Sequence, residues 1–278
     1  MPQPYLGNPA KGPSRIRIHH LQQAKNRGEK FAMLTAYDVM MAEIFDSAGI
    51  EILLVGDSAA NTVIGYDSTL PITLDEMLVF TKAVANGAKR AMVVADLPFG
   101  SYEQSPAQAV ETAVRLLKEG GAQAVKMEGT AQYAEHVRAM VLAGVPVIGH
   151  IGFTPQSEHA LGGFRVQGRG EAMAQMKVDA LALQDAGAFC ILMEMVPSPA
   201  AAEIDAALSV PTIGIGAGTS TTGQVLVWQD MLGLGERRTP RFVKKYADLR
   251  TVISRAVSEY HQDVLSGSFP SEEYEFKE

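Results

Sequence analysis

Four short stretches of this chain each bring an apolar run to a carboxylate: "LLVGDS" with Asp57, "VVADLP" with Asp96, "VKMEG" with Glu128 and "ILMEMVP" with Glu194. An ionised acid inside or at the end of a buried strand loses hydration and has to be matched there. For any single one, a helix cap or a loop anchor is explanation enough. Four at equivalent strand ends ask for more, because two unit charges about 4 Å apart repel by roughly 4 kcal/mol at an effective dielectric near 20. Protonation, a lysine or a cation must relieve that repulsion. "AVKMEG" supplies the lysine: Lys126 and Glu128 share one face of a strand and Val125 and Met127 the other. The apolar pair packs on surrounding helices, which turns the charged pair inward. The remaining all-oxygen set suits a hard divalent ion, and Mg2+ is the economical candidate. It would keep waters or take a chelating substrate, since two or three carboxylates do not fill an octahedron. His150, ending a fifth apolar run, can donate a hydrogen bond to a substrate or serve as a structural donor. His19 and His20 are expected to be solvated, and Cys190, opening an apolar run, to be packed in the core.

The elements that must position these residues repeat in form. Apolar runs stand at 32–36, 52–55, 91–95, 124–127, 145–149, 189–193, 211–215 and 225–228, and amphipathic segments of helical length separate most of them. "TLDE" at 73–76 is a capping box, and "SPAQ" at 105–108 joins a cap serine to a first-turn proline. "KEGG" at 118–121 stops the helix that "SPAQ" starts. Roughly eight strand candidates alternating with helices predict parallel βαβ units, and at this length a closed (β/α)8 TIM barrel is favoured over an open doubly wound sheet. "GIGAG" at 214–218 is the one feature that supports a Rossmann domain, but it follows the seventh run and lacks the G-x-G-x-x-G spacing, so it reads as a tight turn. Residues 56–72 and 150–171 are longer than a turn needs and would lie over the mouth of the barrel, where such loops usually carry function. "SRIRIHHLQQAKNRG" reads as a leading helix with Ser14 as a candidate cap. The expected organisation is a flexible extension over 1–13, one barrel domain over 14–270 and an acidic tail over 271–278.

The net charge of −7 and the absence of a Lys/Arg cluster argue against nucleic acid as a partner. One cysteine in 278 residues excludes an internal disulfide and any multi-cysteine metal site. With no apolar run long enough for a membrane span and no signal-type segment, the expected location is the cytoplasm.

Taken in order, "TAYD", "VGDS", "GYDSTLP", "ADLPF", "VKMEG", "GHIGFTPQS", "GGFRVQGR", "EMVP" and "GIGAG…GQVLV" resemble the ketopantoate hydroxymethyltransferase family from about residue 15 to 270. The resemblance implies a barrel of the phosphoenolpyruvate mutase/isocitrate lyase type, assembled as a homo-oligomer, usually a decamer. It implies transfer of a hydroxymethyl group from 5,10-methylenetetrahydrofolate to 3-methyl-2-oxobutanoate, with Mg2+ required. Carried over by position, Asp57 and Asp96 become metal ligands with Glu128 completing the site. Ser58, with Asp57, Asp96 and Lys126, becomes a substrate contact, and Glu194 becomes the base that removes the C3 proton. Another Mg2+-dependent 2-oxo acid aldolase or lyase of the same barrel group is the alternative. The chain departs from the family's usual pattern at Ala59, Ala60 and Asn61, at Thr130 and at Thr222, all expected in loops near the mouth.

Overall fold

Eight short strands, β1 (Phe31–Thr35), β2 (Ile52–Val55), β3 (Met92–Asp96), β4 (Ala124–Glu128), β5 (Val147–Gly152), β6 (Cys190–Glu194), β7 (Thr212–Ile215) and β8 (Gly223–Leu226), overlap the eight apolar runs, the last of them by Val225 and Leu226 alone. In the computed structural model of the chain, which describes residues 13–236 and 239–277, each strand pairs in parallel with the next. β8 returns to β1, so the sheet closes into the expected (β/α)8 barrel. The α-helices are α1 (Ile18–Arg27), α2 (Val39–Ser47), α3 (Leu74–Gly87), α4 (Pro106–Lys118), α5 (Ala134–Leu142), α6 (Glu158–Leu161), α7 (Ala172–Asp185), α8 (Ser198–Ala207), α9 (Trp228–Met231) and α10 (Leu249–Ser266) among the described residues. The chain divides into two compact units, Met1–Val227 and Trp228–Glu278, so the expected domain span of 14–270 crosses from one into the other. Apart from Pro13, the extension expected over 1–13 lies outside the described residues.

Period-two alternation builds the barrel interior. Met33, Ile52, Leu54, Met92, Val94, Ala124, Ile148, Cys190, Leu192, Ile213 and Val225 form one buried cluster, which places Cys190 in the core as expected. Burying each large apolar side chain contributes about 1.5–3 kcal/mol. Ile16, Leu21 and Ala24 join the same cluster, and Ile16 N donates to Arg90 O at 2.7 Å just ahead of β3. The leading segment therefore seals the N-terminal end of the barrel and leaves the C-terminal end for a site.

The helix signals hold where local chemistry is sufficient. Thr73 and Glu76 close a reciprocal capping box, and Ser105 caps α4 ahead of Pro106. Ser14 is a correction: α1 begins at Ile18 with Arg17 at the cap, because burial of Ile16 and the bonds of Arg15 to Ala88 O and Lys89 O hold the preceding residues out of the helix. His20 is a second correction. Its Nδ1 accepts from Arg17 N at 3.0 Å, so it serves the cap instead of facing water alone. "GIGAG" is the tight turn expected of it, with Gly216 and Gly218 at φ 62° and 80°, and the segment joining β7 to β8 carries no helix.

Candidate active site

The alternation that fills the barrel also delivers the polar residues. Continuing the inward positions along each strand leads from Val94 to Asp96, from Ala124 to Lys126 and Glu128, from Ile148 to His150, and from Leu192 to Glu194. All of these lie toward the C-terminal end. Asp57 arrives one turn past β2 on Gly56, where a Cβ would stand 2.6 Å from Ser58 Oγ. The missing side chain at Gly56 leaves room for Ser58 Oγ where it now stands.

Asp57, Asp96, Lys126, Glu128 and His150 are all 5% exposed or less, so they meet out of contact with bulk water. Asp57 N donates to Asp96 Oδ2 at 3.0 Å, and Lys126 Nζ lies 3.0 Å from Asp96 Oδ1. Lys126 also donates to His150 Nδ1 at 3.2 Å. That bond makes Nδ1 the acceptor and leaves the proton of a neutral imidazole on Nε2, which faces Glu194 Oε2 at 3.5 Å. His150 Nδ1 stands 3.5 Å from Glu128 Oε1, an oxygen that is buried and accepts no hydrogen bond. The structure thus brings together Asp57, Asp96, Lys126, Glu128, His150 and Glu194, and Ser58 sits half-buried beside them with its Oγ 2.8 Å from the Tyr37 hydroxyl.

Charge and burial set the protonation states. Burial raises Asp57 to about 6, with Glu128 adding to the effect and Lys126 and Gln156 opposing it. Burial likewise raises Asp96 to about 6 against the pull of Lys126. Glu128 is pushed up to about 8 by burial, again opposed by Lys126, and Glu194 is pushed up to about 8 by burial and then by Glu128. Burial alone would lower Lys126, but Asp96, Glu128 and Asp57 outweigh it, so the ammonium stays charged. His150 is held well below the ordinary histidine value by burial and then by Lys126, so it is neutral.

Gln156, which nothing in strand periodicity marks, ties the acids together. Its Nε2 donates to Asp57 Oδ2 and to Leu97 O, both at 2.9 Å, its backbone N donates to Glu128 Oε2 at 3.0 Å, and its Oε1 accepts from the Tyr102 hydroxyl at 2.7 Å. It lies in the long loop after β5, where function was expected without a residue being named. Met195, directly after Glu194, holds φ at 50°, a strained value for a residue with a side chain. Its N donates to Ile215 O and its carbonyl accepts from Gln167 N, which fixes the end of β6.

Two departures lie where expected and one does not. Ala60 and Asn61 open a single π-helical turn, Ala60–Ile64, whose return is closed by Asn61 Nδ2 donating to Tyr66 O, and Thr130 is exposed after β4. Thr222 is a correction. It stands at the opposite end of the barrel, ahead of β8, exchanging hydrogen bonds with Thr212 at 3.2 and 3.3 Å.

Among the described residues no three His, Cys, Asp or Glu side chains form a ready-made metal cage. What is present is a pair of adjoining carboxylates, Asp57 and Asp96, and the unpartnered Glu128 Oε1. When ionised, these three acids outnumber the one ammonium they face, which leaves an excess of negative charge in a buried site. Such a set fits a hard cation that takes part of its coordination from water and substrate.

A family model described as ketopantoate hydroxymethyltransferase matches residues 15–272. The chain is 63% identical to the 3-methyl-2-oxobutanoate hydroxymethyltransferase of Paenarthrobacter aurescens (strain TC1), over 99% of this chain and 95% of that one. It is 56% identical to the enzyme of the same name from Mycobacterium marinum (strain ATCC BAA-535 / M), over 95% of this chain and 89% of that one. Among solved structures, a phosphonopyruvate hydrolase complex with oxalate and Mg++ superposes with a TM-score of 0.61 at 13% identity, covering 93% of each chain. 2,3-Dimethylmalate lyase, a PEP mutase/isocitrate lyase superfamily member, superposes with a TM-score of 0.57 at 18% identity, covering 94% of this chain and 91% of that one. At such identities these two speak for the fold alone, which is the barrel type expected. With the family model spanning nearly the whole chain and relatives this similar, the chain belongs to the ketopantoate hydroxymethyltransferase family.

Proposed function

We propose that the chain transfers a hydroxymethyl group from 5,10-methylenetetrahydrofolate to 3-methyl-2-oxobutanoate, giving 2-dehydropantoate, and that it does so with Mg2+ held by Asp57 and Asp96, with Glu128 completing the site. The observation that carries this reading is the separation of roles in one buried cluster. Asp57, Asp96 and Glu128 gather around Lys126, while Glu194 stands apart on β6, across His150. When bound, the cation supplies positive charge to the keto and carboxylate oxygens of the 2-oxo acid and so makes its C3 proton more acidic.

Glu194 takes that proton. A base raised to about 8 holds it firmly, and His150 Nε2 stands 3.5 Å from the carboxylate oxygen that faces it. Lys126 balances the carboxylate or the enolate oxygen, and Ser58 with Asp57 and Asp96 orients the acid. Bringing acceptor and base together in one geometry also removes much of the entropic barrier. A bond then forms between C3 and the one-carbon unit while that unit leaves the folate nitrogens. One water is consumed: its hydroxyl becomes the new alcohol, and its proton, with the one taken from C3, ends on the two nitrogens of tetrahydrofolate.

Expected working conditions follow from the same reading: a cytoplasmic enzyme of small-molecule substrates, assembled as a homo-oligomer, in the family's usual form a decamer. Among the described residues no helix is long and apolar enough to cross a membrane.

The test is proton exchange in deuterated water. Purified protein with Mg2+ should exchange the C3 proton of 3-methyl-2-oxobutanoate, and should form 2-dehydropantoate once 5,10-methylenetetrahydrofolate is added. Exchange without product would favour another Mg2+-dependent 2-oxo acid aldolase or lyase. Absence of both would end the proposal.

A further inference from the structure

A cavity of about 490 Å3 opens beside Glu128, between the loop after β4, the loop after β5 and α7. Its size falls in the range of roughly 300–1,000 Å3 typical of small-molecule pockets. It shares Glu128 and Gln156 with the charged cluster, but Lys126, His150 and Glu194 do not line it. The 2-oxo acid belongs among those charged residues, so this space next to them is left for a second reactant.

The lining narrows the chemistry of that reactant. Among the described residues no lysine, arginine or histidine borders the cavity, which makes it a poor receptacle for a phosphate or a free carboxylate. Three acids do border it: Glu103, Glu128 and Asp179. Glu103 is committed, since its two oxygens accept from Gly100 N and Tyr102 N. Glu128 belongs to the charged cluster. Asp179, 8% exposed on α7, uses only Oδ1, which accepts from Ala131 N and from Gln175 Nε2, both at 3.1 Å. Its Oδ2 takes no partner among the described residues. One wall is aromatic: the Tyr102 and Tyr133 rings meet edge to face at 5.9 Å. The Tyr133 side chain lies so close to Gly129 that a Cβ there would come within 2.7 Å of the ring, so the glycine of "MEG" lets it reach the wall.

A carboxylate oxygen without a partner, on a buried aspartate beside an aromatic wall, fits a planar, uncharged heterocycle with an N–H and amino edge. We infer that this cavity binds the pterin ring of the one-carbon donor, with Asp179 accepting from its amino and ring N–H groups and Tyr133 against its face. This assignment rests on the folate-dependent reading proposed above. It also gives the donor a path to the chemistry. Gly152 borders the cavity and pairs with Glu194 across β5 and β6, so a one-carbon unit held at its rim faces the C3 carbon over a residue with no side chain.

Two variants test it. Asp179→Asn keeps an oxygen for Ala131 N but turns the free acceptor into a donor, and Thr130→Trp fills the cavity from an exposed position that makes no side-chain cap bond. Exchange of the C3 proton, which needs no donor, should continue in both. The KM for 5,10-methylenetetrahydrofolate should rise by roughly tenfold to a hundredfold in Asp179→Asn, the scale of a lost hydrogen bond to a charged group. Calorimetric affinity for tetrahydrofolate should fall in parallel, while KM for 3-methyl-2-oxobutanoate stays put. If both variants keep the wild-type KM and tetrahydrofolate affinity, the cavity is not the donor site. If wild-type protein itself fails to exchange C3 or to use the folate, the failure lies with the proposed function and not with the pocket.

Discussion

Replacing Gly152 by alanine tests whether the position of Glu194 is set by backbone packing. Gly152 holds φ at 95°, in the left-handed region that costs a residue with a Cβ about 1–2 kcal/mol. An added methyl would stand 2.3 Å from Glu194 O, 2.9 Å from Val196 Cγ2 and 3.1 Å from Glu194 N. The first of these contacts can be relieved only by moving the end of β6 outward by about an ångström. That carbonyl also accepts from Phe153 N at 2.8 Å, a bond worth about 1 kcal/mol that the movement strains. The summed destabilisation is therefore about 2–3 kcal/mol, within what a folded domain tolerates. The functional effect is larger, since a displacement of about 1 Å in a catalytic group can lower a rate about a hundredfold. Proton exchange at C3, followed by NMR in deuterated water, isolates this effect because no folate takes part. The expected outcome is exchange slowed about a hundredfold, with calorimetric binding of the 2-oxo acid in the presence of Mg2+ little changed. A folded variant that exchanges within about threefold of wild type would refute the reasoning, because the base would then not depend on this contact.

Three further outcomes follow from the same structure. Gln156→Met removes side-chain bonds to Asp57, Leu97 and Tyr102, so denaturant unfolding should show a loss of about 2.5–6 kcal/mol, the bond to the acid contributing most. A loss under about 1 kcal/mol would mean that solvent replaces those bonds. Because Glu194 is raised to about 8 by burial first, and only its ionised form accepts a proton, the exchange rate should climb with pH through that region and level off above it, whereas a profile already flat from pH 5 would contradict the assignment. Thr222→Val leaves Thr212 N without its partner in a buried position and should cost about 1–3 kcal/mol in thermal or denaturant unfolding, with C3 exchange kept at the wild-type rate because the bond lies at the far end of the barrel.

Strand-borne features are the ones that local sequence discloses. Each strand needs only a period of two and a bounded apolar run, and both survive folding because the interior is filled by the same alternating positions. Asp96, Lys126, Glu128, His150 and Glu194 are continuations of that alternation, so recognising the runs also places the acids. Helix starts are legible at Thr73 and Ser105, where the cap bonds are between near neighbours in sequence. Ser14 fails for the complementary reason. What holds residues 15 and 16 out of the helix is hydrogen bonding to residues 88–90, and no local pattern carries that information. Thr222 fails in the same way, since its partner Thr212 belongs to the neighbouring strand.

The loops hide the residues that make the cluster work as a unit. Gln156 sits among polar and turn-forming neighbours with no periodicity to single it out, yet it contacts residues from three other segments. Asp179 is hidden differently, as one polar residue on α7, a helix with both polar and apolar side chains, and only the fold turns it toward a cavity. The division has a physical basis. A buried acid must be matched, and several of them on adjacent strands reveal themselves by violating the apolar rule that the strands otherwise obey. The groups that do the matching need not violate anything: an amide in a loop is an ordinary residue until its hydrogen bonds are counted. Here one lysine cannot balance Asp57, Asp96 and Glu128, and the protein leaves the imbalance standing, with all three acids raised and one oxygen of Glu128 unpartnered. A purely structural cluster would gain by replacing such acids with apolar side chains. Keeping them is consistent with a charge that arrives with the substrate and its metal, and that is why the acids are conspicuous in the sequence while their organising amide is not.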